Sequence, residues 1–217
     1  MRIQLLHGAT VLAAWFSMRA WMSALVFCGL AFSHGLTPAT EIVQFRLERV
    51  EEGVAVTSQV QFELPPVVED ALLKGIALFF VYEADTYRER WYWADQRVAS
   101  TARTVRLAYQ PLTRRWRVNI ASGVIGSLGG MRASLNQNYD TLAEALTGIQ
   151  RLSRWKIVDS ADLPLENAYR VEFSFRLDLS QLPRPFQIGM AGQSDWAIST
   201  QLKERIRAEL LQPEPVR

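Results

Sequence analysis

The chain has 217 residues, of which 49% are hydrophobic and 21% charged. That balance suits a globular fold of one domain or slightly more and excludes a disordered chain. One cysteine and two histidines exclude a disulfide scaffold, a zinc finger and an iron–sulfur protein.

From Ala20 to Ser33 run fourteen uncharged residues, AWMSALVFCGLAFS, directly after Arg19. A short apolar core behind a positive charge is the pattern of a secretory signal peptide, residues 1–33. Ala31 and Ser33 place cleavage before His34, with Thr37-Pro38-Ala39 as a second site. The alternative is an uncleaved anchor from Thr10 to Phe32, which would carry Arg19 inside the span. A lipid on Cys28 is rejected because Phe27, before it, is not small. Met18 or Met22 is an alternative start that leaves the destination unchanged. The expected compartment is the periplasm.

Processing alters the chemistry. His7 and Cys28 fall in the leader, so the mature chain keeps one histidine, His34, at its new N-terminus. Arg2 and Arg19 are the only charges before His34, leaving 22 basic and 22 acidic residues. The pI near 8.8 belongs to the whole chain. It is no argument for nucleic acid.

Strands come next. Glu41 to Arg49 alternates, with Val43, Phe45 and Leu47 on one face, and Val54 to Leu64 repeats the period of two. Glu51-Glu52-Gly53 reads as the hairpin between them. Pro65-Pro66 ends the second strand, and a short helix to Lys74 follows, with Val68, Ala71 and Leu72 as its apolar stripe and Gly75 as its stop. Ile76 to Tyr82 is apolar on both faces and reads as a covered central strand. Tyr87 to Trp93 extends it or turns back tightly. Arg103 to Tyr109 and Arg114 to Ala121 are two alternating runs joined by Gln110–Thr113.

Ser122–Gly130 holds four glycines in nine residues and reads as a flexible connection. A strand is expected from Met131 to Asn138. Thr141 and Glu144 have capping-box spacing, so a helix runs to about Leu152. Trp155–Val158 is a short strand. Tyr169 to Leu179 alternates most cleanly. Trp196–Ile198 reads as a last strand, and Thr200–Leu211 as a C-terminal helix or, with the rest of 201–217, a frayed tail. Seven to nine short strands and two covering helices indicate one mainly β domain over about residues 40–200. The expected fold is an antiparallel β-sandwich, with a partly closed barrel as the alternative.

Phe62–Phe80, YRERWYWAD from Tyr87, RLAYQPLTRRWRV from Arg106, LNQNYDTLAEAL from Leu135 and Tyr169–Ile188 form an ordered series. The series resembles an uncharacterised Gram-negative family of exported proteins, a domain of unknown function. Some of its members carry the description "proline-rich signal peptide protein". The resemblance spans about Glu41 to Thr200. It implies an exported protein, often encoded beside a membrane sensor histidine kinase. It implies no activity and no functional residues.

Nucleophilic catalysis needs a base that titrates near neutrality, and His34 alone is available outside the fold. No catalytic residue, metal site or cofactor is therefore expected. Ser122–Gly130 lacks the Lys-Ser/Thr ending of a phosphate loop. Carboxylate chemistry survives the inventory, with Glu83 and Asp85 at the end of the most apolar strand.

Charge is unevenly laid out. Glu41 to Asp85 carries −6, and Arg88 to Arg117 carries +6, with Trp91, Tyr92, Trp93 and Trp116 among eight arginines. If Gln110 faces Thr113, Arg106 faces Arg117, and like charges so opposed need compensation. An acidic neighbouring strand carrying Glu48, Glu63 or Glu172 would supply it. So would an anionic ligand held at Arg106, Arg117, Arg115, Arg88, Arg90, Trp91 and Trp93, since arginine's planar fork suits phosphate and carboxylate. The expected function is a non-catalytic envelope module that binds a protein partner or an anionic ligand. By the resemblance it would be accessory to a sensor kinase. Membrane contact is expected only through an uncleaved leader. The alternative is a carboxylate-dependent hydrolase of cell-wall or other glycans.

Overall fold

The computed structural model describes residues 40–123, 132–184 and 196–212. The expected leader, residues 1–33, therefore lies outside the described residues, as do most of the glycine-rich connection and the last five residues. Residues Ala39–Arg217 form one compact unit. Among the described residues no helix is long and apolar enough to cross a membrane.

Among the described residues, nine antiparallel strands make two sheets, as the alternating runs led one to expect. The small sheet has β1 (Glu41–Val50), β2 (Gly53–Gln61) and β7 (Arg151–Asp159), in the order β1-β2-β7. The large sheet has β3 (Leu78–Arg88), β4 (Gln96–Gln110), β5 (Arg115–Ser122), β6 (Arg132–Tyr139), β8 (Tyr169–Leu177) and β9 (Ser199–Ile206). Its order is β6-β5-β4-β3-β8-β9. The sheets share no strand, so a sandwich forms and not the partly closed barrel.

Two helices carry the chain between sheets. Helix α1 (Pro66–Leu73) joins β2 to β3 and buries Val68, Ala71 and Leu72. Gly75, at φ 84°, takes the left-handed conformation that ends it. Helix α2 (Leu142–Gln150) joins β6 to β7. Its capping box is made, with Thr141 Oγ1 accepting from the Glu144 amide at 3.2 Å.

The core is an aromatic seam between the sheets. Alternation along β8 sends Tyr169, Val171, Phe173, Phe175 and Leu177 inward. Phe173 meets Phe45 of β1 at 5.2 Å, and Phe175 meets Phe62 at 5.1 Å and Tyr82 at 4.8 Å. The Tyr82 hydroxyl is buried and donates to the Ile149 carbonyl at 2.5 Å, which satisfies it. Burial pushes that phenol above the usual tyrosine range. At the β1–β2 turn, a Cβ on Gly53 would lie 2.0 Å from the Val158 carbonyl oxygen, so only glycine lets β2 and β7 approach there.

Several expectations are corrected. A bulge between Ile42 and Gln44 turns Val43 outward, and Ile42 takes its place against the core with Phe45 and Leu47. Among the described residues, strand β3 is continuously buried along one face only. Its other face carries Phe79, Val81, Glu83, Asp85 and Tyr87, of which Val81 alone is buried. The expected C-terminal helix is β9. Leu202 and Ile206 fit both a helical stripe and a strand, and the free edge of β8 decides for the strand. Trp196–Ile198 is not a strand, although Trp196 and Ile198 are buried. Strand β7 begins at Arg151 and takes Leu152 from the expected helix.

Removing the Phe173 ring should cost about 3–5 kcal/mol, much of a domain's margin. Thermal or denaturant unfolding of Phe173→Ala measures it, and an unchanged midpoint would contradict the seam.

Candidate functional site

Alternation along β3, β4, β5 and β8 puts most charged residues of the large sheet on its outer face, among them Glu83, Asp85, Arg106, Arg117, Arg170, Glu172 and Arg176. The seven residues singled out in the sequence do not converge there. Arg88 pairs with Gln96 at the start of β4, and Arg106 lies ten residues further along that strand. At about 3.3 Å per residue, the two groups stand roughly 30 Å apart at opposite ends of the sheet.

The hairpin group is Arg106, Arg115 and Arg117. Its expected register is corrected. Arg114, at φ 54°, helps form a four-residue turn, Pro111–Arg114, so Gln110 pairs with Arg115. Arg106 then faces Asn119, and Arg117 faces Ala108. The two arginines are diagonal neighbours on one face, and the direct opposition that demanded compensation is absent. Arg106 lies over the Phe79 ring at 6.0 Å. Arg117 Nε donates to Asn138 Oδ1 at 3.5 Å, and Arg115 meets Asp140 at 3.2 Å. None of the expected acids is beside Arg106 or Arg117. Glu48 and Glu63 belong to the chain of the small sheet, and Glu172 is engaged elsewhere on β8. Trp116 is buried against Tyr109 at 4.8 Å and belongs to the core.

The second group sits on the β3–β4 loop, Glu89–Asp95. The stem of that loop is fixed by bonds from two main-chain amides. Glu89 N donates to the Ala168 carbonyl at 2.9 Å, and Arg90 N to Asp95 Oδ1 at 3.0 Å. Both acids of the loop are drawn back onto the sheet. Asp95 pairs with Arg170 of β8, and Glu89 with Arg205 of β9 at 3.1 Å. Arg170 lies over the Tyr87 ring at 5.2 Å and bonds Glu172 at 2.9 Å. Lys203 of β9 completes the chain of charges, 2.9 Å from Glu172.

What the loop presents outward is therefore cationic and aromatic. Arg88 and Arg90 both donate to Gln96 Oε1, a neutral acceptor. No carboxylate pairs with their guanidiniums among the described residues. Beyond them Trp91 is 93% exposed, Tyr92 69% and Trp93 71%. Trp91 and Tyr92 meet edge to face at 4.9 Å. Three adjacent large rings in water are unusual for a surface, where single apolar residues are the rule.

The carboxylates that kept hydrolysis open lie on the same outer face. Glu83 bonds Arg176 at 3.0 Å, and Asp85 lies 3.8 Å from Arg97. With Glu172 they border a hollow of about 120 Å³. A wider opening of about 620 Å³, between β1 and β9, is floored by Phe45, Leu47 and Leu210. Its rim carries both signs, among them Arg46, Arg207 and Glu204, so it selects no one ligand class.

One cation outside the seven candidate residues is Arg103. It points to the inner side of β4 and lies over Trp155 of β7 at 5.3 Å, where burial pulls its guanidinium below the usual arginine range. The engagement of Asp95 and Glu89 was also not foreseen, since β8 and β9 lie far along the chain from the loop.

These features define a small antiparallel β-sandwich module with a rigidly stemmed arginine–aromatic loop. The chain belongs to the family described as Domain of unknown function (DUF4390), whose model matches residues 37–205. No curated protein and no solved structure matches it.

The clamp on the loop carries a pH signature. Bonds from the Arg90 amide, then from Arg170, hold Asp95 below the usual carboxylate range. Lys203, then Arg170, do the same for Glu172. Groups depressed on folding stabilise fully above their unfolded pKa, near 4, and lose that contribution as pH falls through the folded value. The melting temperature should therefore fall less steeply between pH 6 and pH 3 in Arg170→Met than in the unaltered protein. Parallel profiles would show that Arg170 holds neither acid.

Proposed function

We propose that this protein is an exported, non-catalytic module of the cell envelope that holds an anionic ligand or partner at its β3–β4 loop. The observation that carries the reading is the separation of charge in that loop. Its two acids are engaged by Arg170 and Arg205, while Arg88 and Arg90 rest on neutral Gln96 beside three exposed rings. Arginine, tryptophan and tyrosine are also the residues that dominate binding hot spots. Export rests on the apolar segment behind Arg19. An envelope binding module also suits company with a membrane sensor kinase, which the family resemblance implies.

A hydrolase is the second reading, because Glu83, Asp85 and Glu172 share one hollow. It is supported less well. A glycosidase general acid needs a raised pKa, whereas Glu172 is held low by Lys203 and Arg170. The hollow is also well below the roughly 300–1,000 Å³ of ordinary ligand pockets.

The chain from His34 onward has five tryptophans, each with one indole N–H resonance. Glycerol 1-phosphate should shift the Trp91 and Trp93 resonances and leave Trp116, Trp155 and Trp196 in place. Arg88→Gln/Arg90→Gln should abolish the shift. Release of sugar from cell-wall glycan, lost in Glu83→Gln, would contradict the reading and favour the hydrolase.

A further inference from the structure

We infer that the β3–β4 loop docks on an anionic lipid surface, with Trp91, Tyr92 and Trp93 entering the interface and Arg88 and Arg90 meeting the phosphate headgroups. The inference rests on the proposed function and names the occupant of that same site.

Ring chemistry favours lipid. Tryptophan and tyrosine carry an apolar body with a polar edge and concentrate where membrane meets water. The loop sequence, Glu-Arg-Trp-Tyr-Trp-Ala-Asp, offers three such rings and no large aliphatic side chain. A surface built only to bury apolar area would favour leucine and isoleucine.

The arrangement points the same way. Arg88 and Arg90 are half-buried at the base of the loop, whereas all three rings beyond them are mostly exposed. Rings outermost with guanidiniums behind match the order of the interfacial layer and its phosphates. The stem is pinned by the Glu89 amide, by the Arg90 amide and by the ion pairs of Asp95 and Glu89. A pinned loop loses little conformational freedom on docking. Those same pairs neutralise the two carboxylates that anionic lipid would repel. The sequence left membrane contact to an uncleaved leader alone, and the folded unit supplies a second route.

The test uses the chain from His34 onward, which contains the compact unit Ala39–Arg217 and lacks the apolar segment that would itself enter lipid. Folding of each variant is first checked by its melting temperature. Sedimentation with vesicles then compares phosphatidylcholine alone with phosphatidylcholine containing 30% phosphatidylglycerol. The unaltered protein should bind the anionic vesicles at least tenfold more tightly, and high salt should weaken that binding. Trp91→Ala/Trp93→Ala should lose tenfold or more. Arg88→Gln/Arg90→Gln should lose the preference for phosphatidylglycerol. Leu112→Ala, on the exposed hairpin tip at the far end of the sheet, should bind as the unaltered protein does. Unchanged binding by the double tryptophan variant overturns the inference. So does failure of the unaltered protein to bind while glycerol 1-phosphate still shifts Trp91 and Trp93, in which case the anion-binding site stands. Failure of both vesicles and glycerol 1-phosphate removes the site as well.

Discussion

Phe173 and Phe175 project from β8 into the space between the sheets, and the rest of the molecule depends on what they touch. Phe45 and Phe62 come from the chain of the small sheet, and Phe80 and Tyr82 from β3. This seam is what holds two otherwise separate sheets face to face. With no cysteine after Cys28, burial of such rings must supply most of the stability. Because the period along a strand is two, fixing the phenylalanines inward also fixes Arg170, Glu172 and Arg176 outward. The charged face is a by-product of the apolar one.

That outward face sets the character of the β3–β4 loop. Arg170 is the hub. It stacks on Tyr87 within the sheet, bonds Glu172 on its own strand and reaches Asp95 across the loop. Individually such exposed pairs contribute little. Their consequence is geometric. By holding Asp95, and with Arg205 holding Glu89, they leave the loop with a cationic and aromatic outer surface.

Most of the fold was legible because its strands alternate locally. Strand β8, the β1–β2 hairpin, the capping box at Thr141 and the helix after Pro65 each follow from residues close in sequence. Features that depend on distant partners were not legible. Leu202 and Ile206 satisfy two periodicities, and only pairing with β8 selects the strand. The bulge that exposes Val43 and the left-handed turn at Arg114 are one-residue events with no composition signal. The candidate residues were found by counting arginines and tryptophans along the chain. Linear counting joined two groups that β4 holds about 30 Å apart. Trp116 stood among the counted arginines as well, and its alternation with Arg115 and Arg117 sends it into the core.

The central claim is that arginines of β8 and β9 hold the loop in the form that presents its rings. Relaxation of the indole N–H groups measures this directly, with buried Trp116, Trp155 and Trp196 as internal standards. In the unaltered protein Trp91 and Trp93 should be more restrained than in Arg170→Met/Arg205→Met, where both should gain mobility on the nanosecond scale while the three buried indoles do not change. Equal mobility of Trp91 and Trp93 in the two proteins would contradict the account.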